Sequence, residues 1–520
     1  MFLYILIALC SAILFYLKWC YSYWQRHGYP YIPAQIPFGV LDPVVRTWKK
    51  SVGIAIYDIY KQMKQHKVVG MYLINRPALL VRDAYLARDM LTKDFASFHD
   101  RGIYVDEIHD PMSGGIFFLK GQQWKTLRSK LAPSFTSGKL RSMFESIHEV
   151  SLRLVDYLEH QLPPATTDKD AEFKSIEVKH LFVLYAIDII ASSIFGLDVD
   201  SFSDPQNEFF KLSRNVNENS YRGVFRNTCQ IMYPGLEKIF QRLGWTEPAP
   251  DGMKKIVRQT IERREKHNIV RKDMLQLLLQ LRNTGKINGD EDEGWSAEKT
   301  KDALASMSIE MIAAQLFLFY VAGFETSAAT AAFTLYELSR NADLLQKAQE
   351  DVEQALEKHG SLCYDSLKDM KFLDMCVMET ARKYPGLPIL NRECTQDYPL
   401  PDSDLVIKKG TPIIISLLGI HRDEEYFPDA LRYDPERFVN ENYNAAAYMP
   451  FGEGPRHCIA QRMGKLNVKV GVAQILNHFD VKVDATAPEI EFDNFGLPIM
   501  PKGGVPVKLA RKQTNNVIKT

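Results

Sequence analysis

Between Met311 and Tyr336 the chain carries one charge, Glu325, in a run long enough to cross a bilayer. Two architectures can hold such a run, a membrane span or a helix at the centre of a helical core. The charge decides between them. An acidic residue at mid-span, beside Thr326 and Ser327, would be costly in lipid, so the run reads as a buried helix with a functional centre. Gln315, Leu318, Ala322 and Thr326 follow one another at spacings of three, four and four and share one face of that helix. Ser296 reads as its N-cap, with Glu298 in the first turn.

Around this element, from about residue 40, helix-period stretches alternate with short β-like runs at 68–74 and 78–82, and no repeat period is evident. The pattern predicts a mainly α fold with small β-sheets (α+β). Polar breaks at 163–169, 247–252 and 283–293 read as surface connections within one large domain, because none separates two complete folds. That domain spans 40–512, and 513–520 reads as a polar tail.

Residues 2–17 are uncharged, and Lys18 can snorkel so that the span extends toward Trp24. Residues 1–24 therefore read as a membrane anchor. A cleavable signal peptide would need a basic residue before the apolar run and a small-x-small site after it; both are missing. Trp19, Tyr21, Tyr23 and Trp24 predict an interfacial aromatic belt. Lys18, Arg26, Arg46, Lys49 and Lys50 lie on its carboxyl side, which by the positive-inside rule predicts a cytosolic body. Pro30, Pro33 and Pro37 punctuate 25–39, which reads as a hinge holding the body off the bilayer.

With 64 basic and 64 acidic residues the net charge is zero, so the chain lacks the electrostatic footprint of a nucleic-acid binder. Seven scattered cysteines, an odd number, argue against a disulfide framework and for a reducing compartment.

One of those cysteines stands apart. Cys458 lies in the loop 449–459, Met-Pro-Phe-Gly-Glu-Gly-Pro-Arg-His-Cys-Ile, with Arg456 two residues upstream and a helical pattern downstream. A thiolate so placed can ligate an iron and gain partial positive charge from a helix N-terminus. A dinucleotide-binding turn fails on its third glycine, since position 457 is His457. Zinc is disfavoured because adjacent His457 and Cys458 side chains diverge and no second Cys or His stands at finger-like spacing.

The spacing Phe451-x-x-Gly454-x-Arg456-x-Cys458 resembles the haem-binding loop of the cytochrome P450 monooxygenases. Ala322-Gly323-Phe324-Glu325-Thr326-Ser327 resembles the oxygen-activating motif of the same family, and Glu379-Thr380-Ala381-Arg382 with Pro435-Glu436-Arg437-Phe438 follows its order. Local runs at 29–33, 383–385 and 457–463 look most like the insect microsomal branch linked to hormone metabolism and detoxification. One departure is Ala460, where the family usually carries glycine for close packing of helix on haem.

The resemblance implies haem b with Cys458 as axial thiolate, and Arg101, Trp124, Arg128, Arg392 and Arg456 around its propionates, with Phe451 in the same loop. Trp124 and Arg128, four apart, would share one helix face. It implies Thr326 and Glu325 as the proton relay, Ala322 and Gly323 as the room left for dioxygen, and Glu379, Arg382 and Arg437 as a buried charge triad. Electrons would come from NADPH through NADPH–cytochrome P450 reductase, with cytochrome b5 as an auxiliary partner. Lys125, Lys130, Lys139, Arg462, Lys465 and Lys469 would form the basic docking surface on the endoplasmic reticulum membrane. Phe117, Phe118, Leu318, Leu387 and Leu497 would line a pocket for a lipophilic substrate. Two other classes compete: a haem-thiolate isomerase or dehydratase, which would form product without NADPH, and a non-catalytic haem-binding membrane protein, which would not turn over.

Overall fold

The computed structural model describes residues 1–46, 49–107, 110–164, 172–216, 225–226, 228–230, 233–243, 249–287, 307–440, 442–494, 498–513 and 517–518. Its organising element is the helix Ile309–Ser339, packed against Val178–Ile190 on one side and Gln461–His478 on another. Ser308 caps it, its side chain accepting from Met311 N–H. The proposed cap Ser296 and Glu298 lie outside the described residues. Among the described residues three helices are long and apolar enough to cross a membrane: Phe2–Tyr21, the stretch Val178–Phe195 and the central one. The last two pack in the protein core, Phe182, Ile187, Ile312, Ala313 and Leu335 being buried there; for the central helix this is what the mid-span acid predicted.

The β-like runs pair into a four-stranded sheet beside the helical body. Val68–Leu73 and Arg76–Val81 form an antiparallel hairpin; Pro412–Ser416 adds in parallel and Ile389–Glu393 antiparallel beyond it. Every residue of Val68–Leu73 is buried, so both faces are covered and the strand reads as a continuous apolar run. A three-stranded sheet joins Lys174–Glu177, Pro506–Arg511 and Phe479–Val483. Helices with small sheets are thus the architecture the pattern predicted.

The structure also adds to or departs from the remaining expectations. The helix Ala249–His267 starts inside the proposed 247–252 break, and Met274–Thr284 runs into the 283–293 break before Gly285 closes it. The tail is partly pinned, Ile518 N–H and C=O pairing with the Asn477 amide. Only Trp19 of the aromatic belt stays well exposed; Trp24 is buried. Trp24 Nε1–H donates to Met71 O (2.8 Å), and Ile32 N–H donates to Gly70 O (2.9 Å). The segment after the anchor therefore lies against the sheet instead of standing off. A Cβ on Gly70 would fall 2.5 Å from Trp24 Cγ, so only glycine leaves that seat for the indole.

Candidate functional site

The Cys458 loop is held by its own backbone. Gly452 N–H donates to Met449 O (2.9 Å), His457 N–H to Gly454 O (3.0 Å) and Cys458 N–H to Phe451 O (2.8 Å). Gly452 and Gly454 both take positive φ, and a Cβ on Gly454 would stand 1.8 Å from Leu91 O. Cys458 then precedes the helix Gln461–His478, with Ala460 at its N-cap. Ala460 has φ −96°, an ordinary value for an L-residue, so its methyl adds no backbone strain. The Cys458 side chain is exposed at the surface of its loop; the protein packed around it pushes its thiol up, opposed by the Ala460 N–H and by the charges of Arg128 and Arg101.

Those arginines belong to a cluster drawn from distant segments. Arg101 Nη2 donates to Arg456 O (3.4 Å) and its guanidinium lies 4.0 Å over the Phe117 ring. Arg456 stacks 4.2 Å over Trp124 and uses Nη2 on Leu119 O (2.7 Å) and Asp100 (3.3 Å). Arg128 Nη2 stands 3.4 Å from His457 Nε2. Arg392 is buried and donates to Asn391 O (2.8 Å). Burial, with Arg456 beside it, pushes Arg392 down to about 9, and burial pushes Arg456 down to about 10 despite Asp100. Four inaccessible donors remain without a partner: Arg101 Nε, Arg392 Nε, and Arg456 Nε and Nη1. Converging cations with unpaired donors form a seat for an anionic group. The propionates of haem beside a cysteine thiolate fit that donor set.

The central helix presents the predicted face. Ala322 is exposed, and Leu318, Gly323 and Thr326 are partly so, amid buried neighbours. Gln315 is buried, donating to Gly114 O and accepting from Ile116 N–H, both 2.9 Å. Thr326 Oγ1 donates back to Ala322 O (2.8 Å), which leaves its lone pairs free to accept. Glu325 turns away to an ion pair with Lys179, Oε1 to Nζ 2.5 Å. Phe117, Phe118 and Leu387 are partly exposed, and a Cβ on Gly115 would stand 3.3 Å from Leu318 Cδ2; Leu497 lies outside the described residues.

Behind the loop Arg382 grips Glu379 through Nε and Nη2, both 2.8 Å, and Arg437 Nε reaches Glu379 Oε1 at 3.1 Å, all three buried. Three of the six basic residues expected to form a docking surface are engaged within the protein. Lys139 is buried, Lys469 Nζ donates to Leu367 O and Met370 O, and Lys465 pairs with Asp374 (2.9 Å). Lys125 and Arg462 are exposed and Lys130 is partly exposed. Sequence reasoning missed Lys179, Asp100 and His421. Nothing local marks Lys179, whereas His421-Arg422-Asp423 is a visible polar group after an apolar strand.

The family model for cytochrome P450 matches residues 47–506. The chain is 57% identical to the probable cytochrome P450 6d5 of Drosophila melanogaster, over 98% of this chain and 99% of that one. It is 50% identical to cytochrome P450 6d3 of Musca domestica, over 99% and 100%. It is 36% identical to cytochrome P450 6k1 of Blattella germanica, over 98% and 96%. A match that covers most of the chain, joined to a loop and arginine cluster suited to a thiolate-bound haem, places this protein in the cytochrome P450 family of monooxygenases.

Proposed function

We propose that the protein is a microsomal, NADPH-dependent haem-thiolate monooxygenase acting on lipophilic compounds: xenobiotics, insecticides, plant toxins or endogenous hormones and lipids. The observation that carries this reading is the set of unpaired donors on Arg101, Arg392 and Arg456 gathered beside Cys458. In this reading Cys458 would ligate the haem iron through its thiolate, Phe451 would shape its loop, and Arg101, Trp124, Arg128, Arg392 and Arg456 would hold the propionates.

Bound haem supplies thiolate-promoted activation of dioxygen once two electrons and two protons arrive. The chain's own work is positioning and proton handling. Ala322 and Gly323 keep the middle of the central helix thin. Thr326 holds a water or proton at Oγ1 while its own proton is parked on Ala322 O. Glu325 would pass protons on from solvent, its carboxylate taking one up and handing it on, and Lys179 holds that carboxylate in place. Phe117, Phe118, Leu318 and Leu387 give substrates an apolar wall.

Electrons are assigned to NADPH–cytochrome P450 reductase, assisted by cytochrome b5, docking on Lys125, Lys130 and Arg462. The apolar helix Phe2–Tyr21 serves as the anchor in the endoplasmic reticulum membrane, with the body on the cytosolic side. The test is reconstitution of detergent-solubilised protein with reductase, NADPH and a panel of lipophilic compounds. Oxygenated product that requires NADPH is expected; product formed without NADPH, or none despite bound haem, overturns the reading. Cys458→Ala should abolish the thiolate-type Soret band of the reduced carbonyl complex, and its retention removes the ligand assignment.

A further inference from the structure

We propose that His421 is a positioning residue whose imidazole ties the backbone of the Cys458 loop to the buried Glu379–Arg382–Arg437 cluster. The proposal rests on the thiolate reading above.

His421 ends the short helix Leu417–His421 and has no exposed surface. It is held at both ends. Its carbonyl accepts from Arg382 Nη1 at 2.6 Å, and its ring Nε2 accepts from Met449 N–H at 3.2 Å. An accepting Nε2 puts the ring proton on Nδ1, so in the bond to the loop the imidazole is the acceptor. Burial and the Arg382 charge hold the imidazole down to about 3, so it stays an acceptor throughout the physiological range.

A second strut runs parallel. Tyr448 stacks on the imidazole, centroids 6.1 Å apart at 22°, and its hydroxyl donates to Met378 O at 3.2 Å. Met378 lies on Lys371–Lys383, the helix that carries Glu379 and Arg382. Two paths from one buried helix therefore converge on residues 448 and 449. From there the loop's own bonds, Gly452 N–H to Met449 O and Cys458 N–H to Phe451 O, lead to the sulfur. Among the described residues the ion pairs of Glu379, Arg382 and Arg437 stay within the cluster. The cluster acts through this ring.

A space-filling role would be served by any ring, whereas a tie needs an acceptor at the Nε2 position. His421→Phe keeps a stacking ring and removes the acceptor; His421→Gln offers Oε1 near the same point. Amide hydrogen exchange of the full-length haem protein in detergent reads Met449 directly. In the wild type its amide should be as protected as those of Lys371–Lys383; free exchange there, with that helix protected, overturns the proposal whether or not any variant folds. His421→Phe should speed Met449 exchange about tenfold, a factor within reach of one buried hydrogen bond lost. It should also raise the share of reduced carbonyl complex lacking the thiolate band. His421→Gln should recover most of both, and equal defects in the Phe and Gln variants overturn the tie. A wild type without a thiolate band would instead sink the ligand assignment, leaving Met449 protection as a separate result.

Discussion

Lys179 Nζ lies 2.5 Å from Glu325 Oε1, an ion pair that joins the first turn of Val178–Ile190 to the middle of the central helix. Glu177 caps that first turn, accepting from Lys179 N–H (3.0 Å) and His180 N–H (2.6 Å), so the lysine is fixed at its root. The pair gives the one charge in the 311–336 run a counter-ion inside the protein, which lets that charge sit in the helical core.

Lys179→Gln should destabilise the protein by about 2 kcal/mol, less than a fully buried pair because Lys179 keeps 22% side-chain exposure. The midpoint of urea unfolding in detergent reads this. Glu325→Gln should leave haem content unchanged and slow turnover by about 10²-fold, the scale of a lost proton donor. Wild-type turnover in that variant would remove Glu325 from the relay.

Thr326→Val keeps the shape and removes the hydroxyl that now donates to Ala322 O. Haem binding should persist while NADPH oxidation drains into hydrogen peroxide; Thr326→Ser should retain coupling. The ratio of product to NADPH consumed is the measurement, and equal ratios in wild type and Val would exclude the hydroxyl from proton handling.

Gly454→Ala and Gly452→Ala should differ sharply although both residues take positive φ. At 452 nothing stands closer than 3.8 Å to an added Cβ, so the cost is about 1 kcal/mol of backbone strain. At 454 the methyl would meet Leu91 O at 1.8 Å, so the loop must move and thermal stability and haem retention should both fall. Equal melting temperatures for the two variants would contradict the loop geometry.

His478 is pushed from 6.5 down to about 4, first by burial and then by the Lys512 charge. Between those values the unfolded chain binds a proton that the folded one refuses, so this contribution is whole above 6.5 and is lost as pH falls. At about 1.4 kcal/mol per pH unit, roughly 2 kcal/mol is gone by about pH 5. His478→Gln should flatten the stability profile over this window; an unchanged slope would show that His478 does not contribute.

Trp24→Ala should loosen the joint between anchor and body, since the indole is buried and bonded to Met71 O. The loss should be about 3 kcal/mol or more locally, read as faster proteolysis within 25–39 in membranes. Protection equal to wild type would indicate a joint held by the other contacts alone.

What the residue order decided by itself is what chain-local physics can encode. Helical spacing placed Leu318, Ala322 and Thr326 on one face, glycine supplied the positive φ that the Cys458 loop requires, and Glu325 ruled that its helix belongs in protein. These follow from steric and solvation rules acting over a few residues. The folded chain alone decided which distant groups meet: Lys179 with Glu325, Trp24 with the Gly70 seat, His421 with Met449, and Arg101 and Arg392 with Arg456. It also withdrew Lys139 and Lys469 from the docking surface that the family resemblance implied. A charge or a ring carries no local mark of its partner, because partners are chosen when burial removes water and each polar group takes the nearest group that replaces it.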